Sequence, residues 1–273
     1  MGKTPLVSVI TPALNPQAGF LLDAYHSLCD QECSWEWLIQ LDGRQGTLPE
    51  AISEDSRVDV AFNGRQLGIA ITRNRALART RAPYVQSLDA DDMLLPDSLA
   101  PRIAFLKEHP GLAFAFGRSL RRQYNGEVVS DRRPPIGEGL VEPGELERLW
   151  RKDGRSPLKY STILWRRAVL LGAGGWAALS EMEDVAVTLA ISLTSFSYYT
   201  DVDVVLFRNH PEQVTNSDAY MSDRAVNRRF IHEYLLCARR NRGIPIPPSY
   251  RHPPPDASYR VELEKIHSMR RSK

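Results

Sequence analysis

The chain has 273 residues, 42% of them hydrophobic, with 35 basic and 33 acidic side chains and a formal net charge of +2. That length can bury a substantial core, as one large domain or two closely joined halves. The near balance of charge excludes the strong global field of a general nucleic-acid binder.

No window approaches the roughly 20 apolar residues of a membrane span. The opening MGKTPLVSVITP has too short an apolar run for a signal peptide. The expectation is a cytoplasmic protein that makes at most peripheral contact with a membrane. Cys29, Cys33 and Cys237 form neither an even disulfide set nor a zinc spacing; a reducing compartment fits, with Cys29 and Cys33 on one helix face.

Along the first hundred residues, strand-like and helix-like segments alternate. Pro5 to Thr11 reads as a strand, Ala18 to Cys29 as a helix, and Trp35 to Leu41 and Val58 to Phe62 as strands. Gly68 to Arg81 reads as a helix and Tyr84 to Leu88 as a strand, with a further helix beginning near Pro96 and Asp97. Such alternation predicts a mostly parallel sheet flanked by helices, whose ligands gather at the carboxyl ends of the strands. Asn15, Asp42, Asn63 and Asp89 to Asp92 are the polar residues at those ends.

Beyond residue 110 the pattern loosens. Leu112 to Phe116 is strand-like, and residues 121–144, rich in Gly, Pro and Arg, read as a hairpin or mobile lid. Glu145 to Lys152, Arg166 to Leu171, Glu183 to Ser195 and Asp223 to Arg240 read as helices, and Tyr198 to Arg208 as a strand. A proline-rich link then leads to a last helix over Ser258 to Arg270. Residues 224–273 carry 12 Lys and Arg against 4 Asp and Glu, a local basic region that fits an anionic partner or a solvated helical face.

The sharpest chemical signal is YVQSLDADD, residues 84–92. Three carboxylates packed at a strand end repel one another and raise one another's pKa unless water or a cation relieves them. A divalent metal does so; an acidic helix cap is the plainer reading of the same residues.

Several stretches, in order, resemble the family 2 glycosyltransferases with a GT-A fold. VSVITPALN resembles the family's opening V-S-V-I-x-P-x-Y-N, with Leu14 in place of the aromatic residue. Leu41-Asp42-Gly43-Arg44 stands where the family often has D-D-G-S, NGRQLGIAITRN resembles its N-x-x-x-x-G and A-R-N helix, and YVQSLDADD its Y-x-x-x-L-D-x-D-D. Downstream, Gly174-Gly175-Trp176, Met182-Glu183-Asp184 and RNHPEQVT from Arg208 extend the likeness to about residue 215.

The resemblance implies a metal-dependent, inverting transfer of one sugar from a nucleoside-diphosphate sugar, a UDP-sugar by default, to an acceptor hydroxyl. It implies Mg²⁺ or Mn²⁺ on Asp91 with His210, and donor contacts from Pro12, Asn15, Asp42, Arg73, Asn74 and Asp89, with Asp92 as support. Asp184 would be the general base, with Glu181 and Glu183 as alternatives because the acidic stretch fits two registers. The expected division is a nucleotide-sugar-binding half over 1–110, an acceptor-binding half over 111–215 and a helical extension over 216–273. The departures at Leu41 and Arg44 keep open a second reading, a nucleotide-sugar-binding or scaffold protein without activity. A nucleotidyltransferase fits poorly, because TPALNPQAG is not a Gly-rich basic loop.

Overall fold

The computed structural model describes residues 4–44, 46–211, 213 and 218–251. Its elements run β1 (Val7–Ala13), α1 (Ala18–Cys29), β2 (Trp35–Leu41), α2 (Glu50–Ser53), β3 (Val58–Phe62), α3 (Ile69–Arg79), β4 (Tyr84–Ser87), β5 (Met93–Leu94) and α4 (Ala100–Glu108). They continue as β6 (Leu112–Arg122), β7 (Val128–Ser130), β8 (Gly139–Val141), α5 (Glu145–Asp153), β9 (Ile163–Arg166), α6 (Arg167–Gly172), α7 (Glu183–Ser192), β10 (Phe196–Arg208) and α8 (Asp218–Asn241).

The strands form one sheet in the order β3-β2-β1-β4-β9-β6-β10-β5, with β7 on β6 and β8 on β10. Strands β3, β2, β1 and β4 are parallel, as the alternating pattern predicts. In the second half the sheet is mixed: β9 runs antiparallel between β4 and β6, and β10 is parallel to β6. Both faces are covered, which explains the near-continuous apolar runs of the central strands. Along β1, Val7 and Val9 face one core with Leu21, Ala24 and Leu28 of α1, while Ile10 faces the other with Ala76 and Leu77 of α3. This is the period-two alternation of a strand.

Several boundaries differ from the sequence expectation. The two-residue strand β5 occupies Met93–Leu94, and α4 starts only at Ala100, because Asp97 adopts the left-handed region at φ 55°. Cys33 lies beyond the end of α1, so it shares no helix face with Cys29, and the three cysteines are free thiols. The segment expected as a hairpin or mobile lid does form a hairpin, β6 with β7, and is fastened at several points. β7 pairs with β6 and β8 with β10, Arg132 is 2.9 Å from Asp153, and Arg133 is 3.2 Å from Asp201. The expected last helix, over Ser258 to Arg270, lies outside the described residues.

Candidate active site

A cleft of about 460 Å³ opens at the carboxyl ends of β1, β2 and β4, within the size range of small-molecule sites. One wall comes from the first half of the chain, through Pro12, Asn15, Asp42, Arg73, Asp89 and Asp91. The other comes from Glu181, Glu183, Asp184, Phe207 and His210.

The carboxylates after β4 have distinct surroundings. Asp92 is fully buried, accepts the backbone N–H of Arg208 at 3.1 Å and lies 3.4 Å from the Ser161 hydroxyl. Burial, reinforced by the charges of Asp91 and Asp89, pushes its carboxyl well above the usual range. Asp91 is turned toward the cleft, with Oδ2 2.8 Å from His210 Nε2. Burial and then the neighbouring Asp89 raise its pKa, against the pull of the His210 hydrogen bond. Phe20 packs against the His210 ring at 4.9 Å, and the Arg208 guanidinium stands 4.3 Å over Phe20.

Arg73 organises the centre. Its guanidinium is buried, donates to Asp89 at 2.9 Å and to Glu183, and lies 4.9 Å over the Tyr160 ring. Glu183 and Asp184 occupy the first turn of α7, which Met182 enters in the left-handed conformation at φ 61°. Burial is the main cause that lifts Glu183 from 4.5 to about 7; Arg73 opposes the rise and Asp184 adds to it. Burial also raises Asp184, again partly offset by Arg73. Asp184 Oδ1 accepts the Val185 N–H at 2.7 Å, so that oxygen is engaged by the helix start.

Asp42 touches the cleft but is mostly committed to the chain itself. Its carboxylate accepts the Leu67 N–H at 2.6 Å, the Gly68 N–H at 2.9 Å and the Asn63 amide at 2.8 Å, which fixes the loop leading into α3. Asn74 is placed differently from the expectation. Consecutive helix residues point about 100° apart, so while Arg73 faces the cleft Asn74 faces the Gly175 loop. There it donates to Trp176 O at 2.8 Å and accepts the Trp176 N–H at 2.9 Å. Gly175, at φ +72°, permits this: a Cβ there would lie 2.1 Å from Asn74 Oδ1.

Sequence reasoning did not find the Arg73–Glu183 pair, Tyr160 beneath Arg73, or Phe20 beside His210. These contacts join distant segments, and no local pattern marks them. Among the described residues no group of three or more His, Cys, Asp or Glu side chains forms a preassembled metal cage. The nearest donors are the Asp91 carboxylate and the His210 imidazole.

A mixed sheet with helices on both faces, and a carboxylate-lined cleft at its strand ends, match a GT-A type of fold. The chain belongs to glycosyl transferase family 2, whose family model matches residues 8–167. The glycosyltransferase TuaG of Bacillus subtilis (strain 168), assigned to teichuronic acid biosynthesis, is 38% identical over 125 residues, 44% of this chain and 49% of TuaG. An uncharacterized glycosyltransferase of Methanocaldococcus jannaschii is 27% identical over 136 residues, 48% of this chain and 47% of that protein. The chain thus spans about half the length of these curated relatives.

Residues 1–349 of S. aureus TarS, in complex with UDP-GlcNAc, superpose with a TM-score of 0.66 at 19% identity, covering 84% of this chain and 66% of that one. The same protein with UDP gives 0.63 at 20% identity. These likenesses establish the fold. No helix among the described residues is long and apolar enough to cross a membrane.

Proposed function

We propose that the protein is a metal-dependent, inverting glycosyltransferase that moves one sugar from a UDP-sugar to an acceptor hydroxyl. The observation that carries this reading is a single cleft lined both by Asp89 and Asp91, from the end of β4, and by Asp184, from the start of α7. The first pair suits the donor diphosphate, and the last suits proton removal.

In this reading the acceptor hydroxyl attacks the anomeric carbon from the face opposite the diphosphate. Asp184 takes its proton through the oxygen not engaged by the Val185 N–H. The bond between the anomeric carbon and the diphosphate oxygen breaks, and UDP leaves. A carboxyl raised above the usual range by burial is a stronger base than an exposed aspartate. Arg73 positions Asp89 and Glu183 on opposite sides of its guanidinium, keeping the two walls in register.

The donor set fits a hard divalent cation. Such ions are commonly held by one or two protein groups together with substrate phosphates and water, so Asp91 and His210 would suffice with the diphosphate present. When bound, Mg²⁺ or Mn²⁺ neutralises charge developing on the departing diphosphate. Pro12, Asn15 and Asp42 line the end of the cleft nearest β1 and β2 and would meet the nucleoside. Residues 111–215 would shape the acceptor side, and a cytoplasmic location fits the free thiols.

The test is release of UDP from a panel of UDP-sugars with Mn²⁺ and with EDTA. Metal-dependent release, slow even without acceptor, is the expected result. A chain that binds UDP but releases none from any donor would instead be a nucleotide-sugar-binding protein without transfer activity.

A further inference from the structure

Phe207 lines the cleft, and two cations share its ring: Lys159 Nζ lies 4.3 Å from the centroid and the Arg121 guanidinium 5.3 Å from it. One carboxylate serves both. Asp131 is 2.8 Å from Arg121 and 3.8 Å from Lys159, and it also accepts the Ser119 hydroxyl and the Arg132 N–H. Two further acids act on Lys159: Asp92, held toward its neutral form by burial, and Asp184. The cluster of Lys159, Arg121 and Asp131 thus sets two cations against one shared carboxylate at the edge of the cleft.

The Lys159 ammonium makes no hydrogen bond to any described residue, so its three donors are unspent. Burial pushes its pKa down, while 40% of the side chain stays exposed and open to an incoming group. Its backbone is nevertheless well fixed. The 3₁₀ turn Tyr160–Thr162 follows directly, with Tyr160 under Arg73 and the Ser161 carbonyl accepting the Gln86 amide at 2.6 Å. Lys159 also lies close enough to Asp184 for that carboxylate to act on it electrostatically. An anion seated here would stand on the side of the cleft that holds the proposed base.

We propose that Lys159 and Arg121, on the Phe207 flank of the cleft, form a subsite for an acidic group, phosphate or carboxylate, carried by the acceptor. This inference rests on the transferase reading above. It narrows the acceptor to an anionic polyol or sugar. The Phe207 ring supplies an apolar floor, Lys159 a point charge with free donors, and Arg121 a planar fork suited to carboxylate or phosphate.

The test uses the full chain saturated with UDP and Mn²⁺, so that the donor's own phosphate site is filled. Glycerol 3-phosphate and galacturonate are titrated by NMR, with glycerol and galactose as neutral controls. The acidic probes are expected to bind and the neutral ones not. Lys159→Gln should weaken the acidic probes by about tenfold, the loss of one charge-assisted hydrogen bond. Lys159→Arg should retain most of the binding, and Arg121→Gln should give a similar loss to Lys159→Gln; unchanged UDP affinity shows that each variant is folded. Equal binding of neutral and acidic probes, or an unchanged affinity in Lys159→Gln, overturns the proposal. So does binding of the acidic probes to the nucleotide-free chain that is absent from the UDP-saturated chain, which would give the anion to the donor site. If UDP itself fails to bind, the transferase reading falls, while the same titration on the nucleotide-free chain still decides whether Lys159 holds an anion.

Discussion

Arg73 of α3 donates to Glu183 of α7 across 110 positions of sequence, and both side chains are almost fully buried. Removing one member of a buried pair leaves the other charge unpaired, which costs about 3–5 kcal/mol. Arg73→Met should therefore destabilise the protein by about that amount in urea denaturation. Arg73→Lys should also be destabilised, because a single ammonium lacks the fork that reaches Asp89 and Glu183 together. A wild-type-like transition midpoint for Arg73→Met would remove this pair from the architecture.

Glu183 is raised from 4.5 to about 7, so between those values the folded chain holds a proton that the unfolded chain has released. Stability contributed by this group is present below the unfolded value and declines as pH rises toward 7. Carbon NMR of the Glu183 carboxyl is expected to show a midpoint near 7. In Asp184→Asn that midpoint should fall, since the neighbouring negative charge is one cause of the rise. A midpoint near 4.5 in the wild-type protein contradicts the reading.

Asp184→Asn should leave UDP affinity nearly unchanged and lower turnover by about 10²–10⁴-fold, the usual loss on removing a general base. Binding by calorimetry and transfer by UDP release separate the two effects. Near-normal turnover would shift the role to Glu181 or Glu183, both of which line the same cleft.

Asp91→Asn keeps the size of the side chain but removes the charge proposed to face the metal. Calorimetric titration of UDP with Mn²⁺ and with EDTA should show metal-dependent affinity in the wild type and little difference in the variant. Equally tight UDP binding in EDTA argues against a metal on Asp91 and His210.

Gly175→Ala places a Cβ 2.1 Å from Asn74 Oδ1 at a φ of +72°. Backbone strain and the steric clash each cost about 1–3 kcal/mol. Thermal unfolding should show the loss, and Asn74→Ala in the same background should relieve part of it by removing the clashing oxygen.

The first hundred residues were legible because their signals are contiguous. Each strand is a short β-branched or aromatic run, and the Asp89 to Asp92 cluster follows its strand directly. The parallel order of β1, β2, β3 and β4 follows from the helices between them. The four-residue β9 gave no such signal, since ILWR is too short to separate from the helix that begins at Arg167. Asp97 looked like a helix start, but its positive φ turns the chain before α4 begins. Asn74 was grouped with Arg73 on the resemblance to the family's A-R-N helix, whereas helical geometry sends the two side chains to different partners. The Arg121 to Gly144 region was legible as a hairpin but also looked loose from its Gly and Pro content; the pairing of β8 with β10 and the ion pairs of Arg132 and Arg133 with distant aspartates were invisible in one dimension.

The contacts that cross residue 110 around the cleft include Arg73 with Glu183, Asn74 with Trp176, Asp91 with His210, and Asp92 with the Arg208 N–H. Strand β4 is hydrogen-bonded to β9 across the same division. A chimera that joins residues 1–110 of this chain to the second half of another family member therefore recombines both sides of the cleft, not merely two modules linked by a peptide. Such a hybrid needs a carboxylate for Arg73, a close-approach glycine for Asn74 and an imidazole for Asp91 from the incoming partner. The second half is thus exchangeable in this scaffold only together with the α7 start and the β10 end, and loop grafts confined to the surface between them leave those contacts intact.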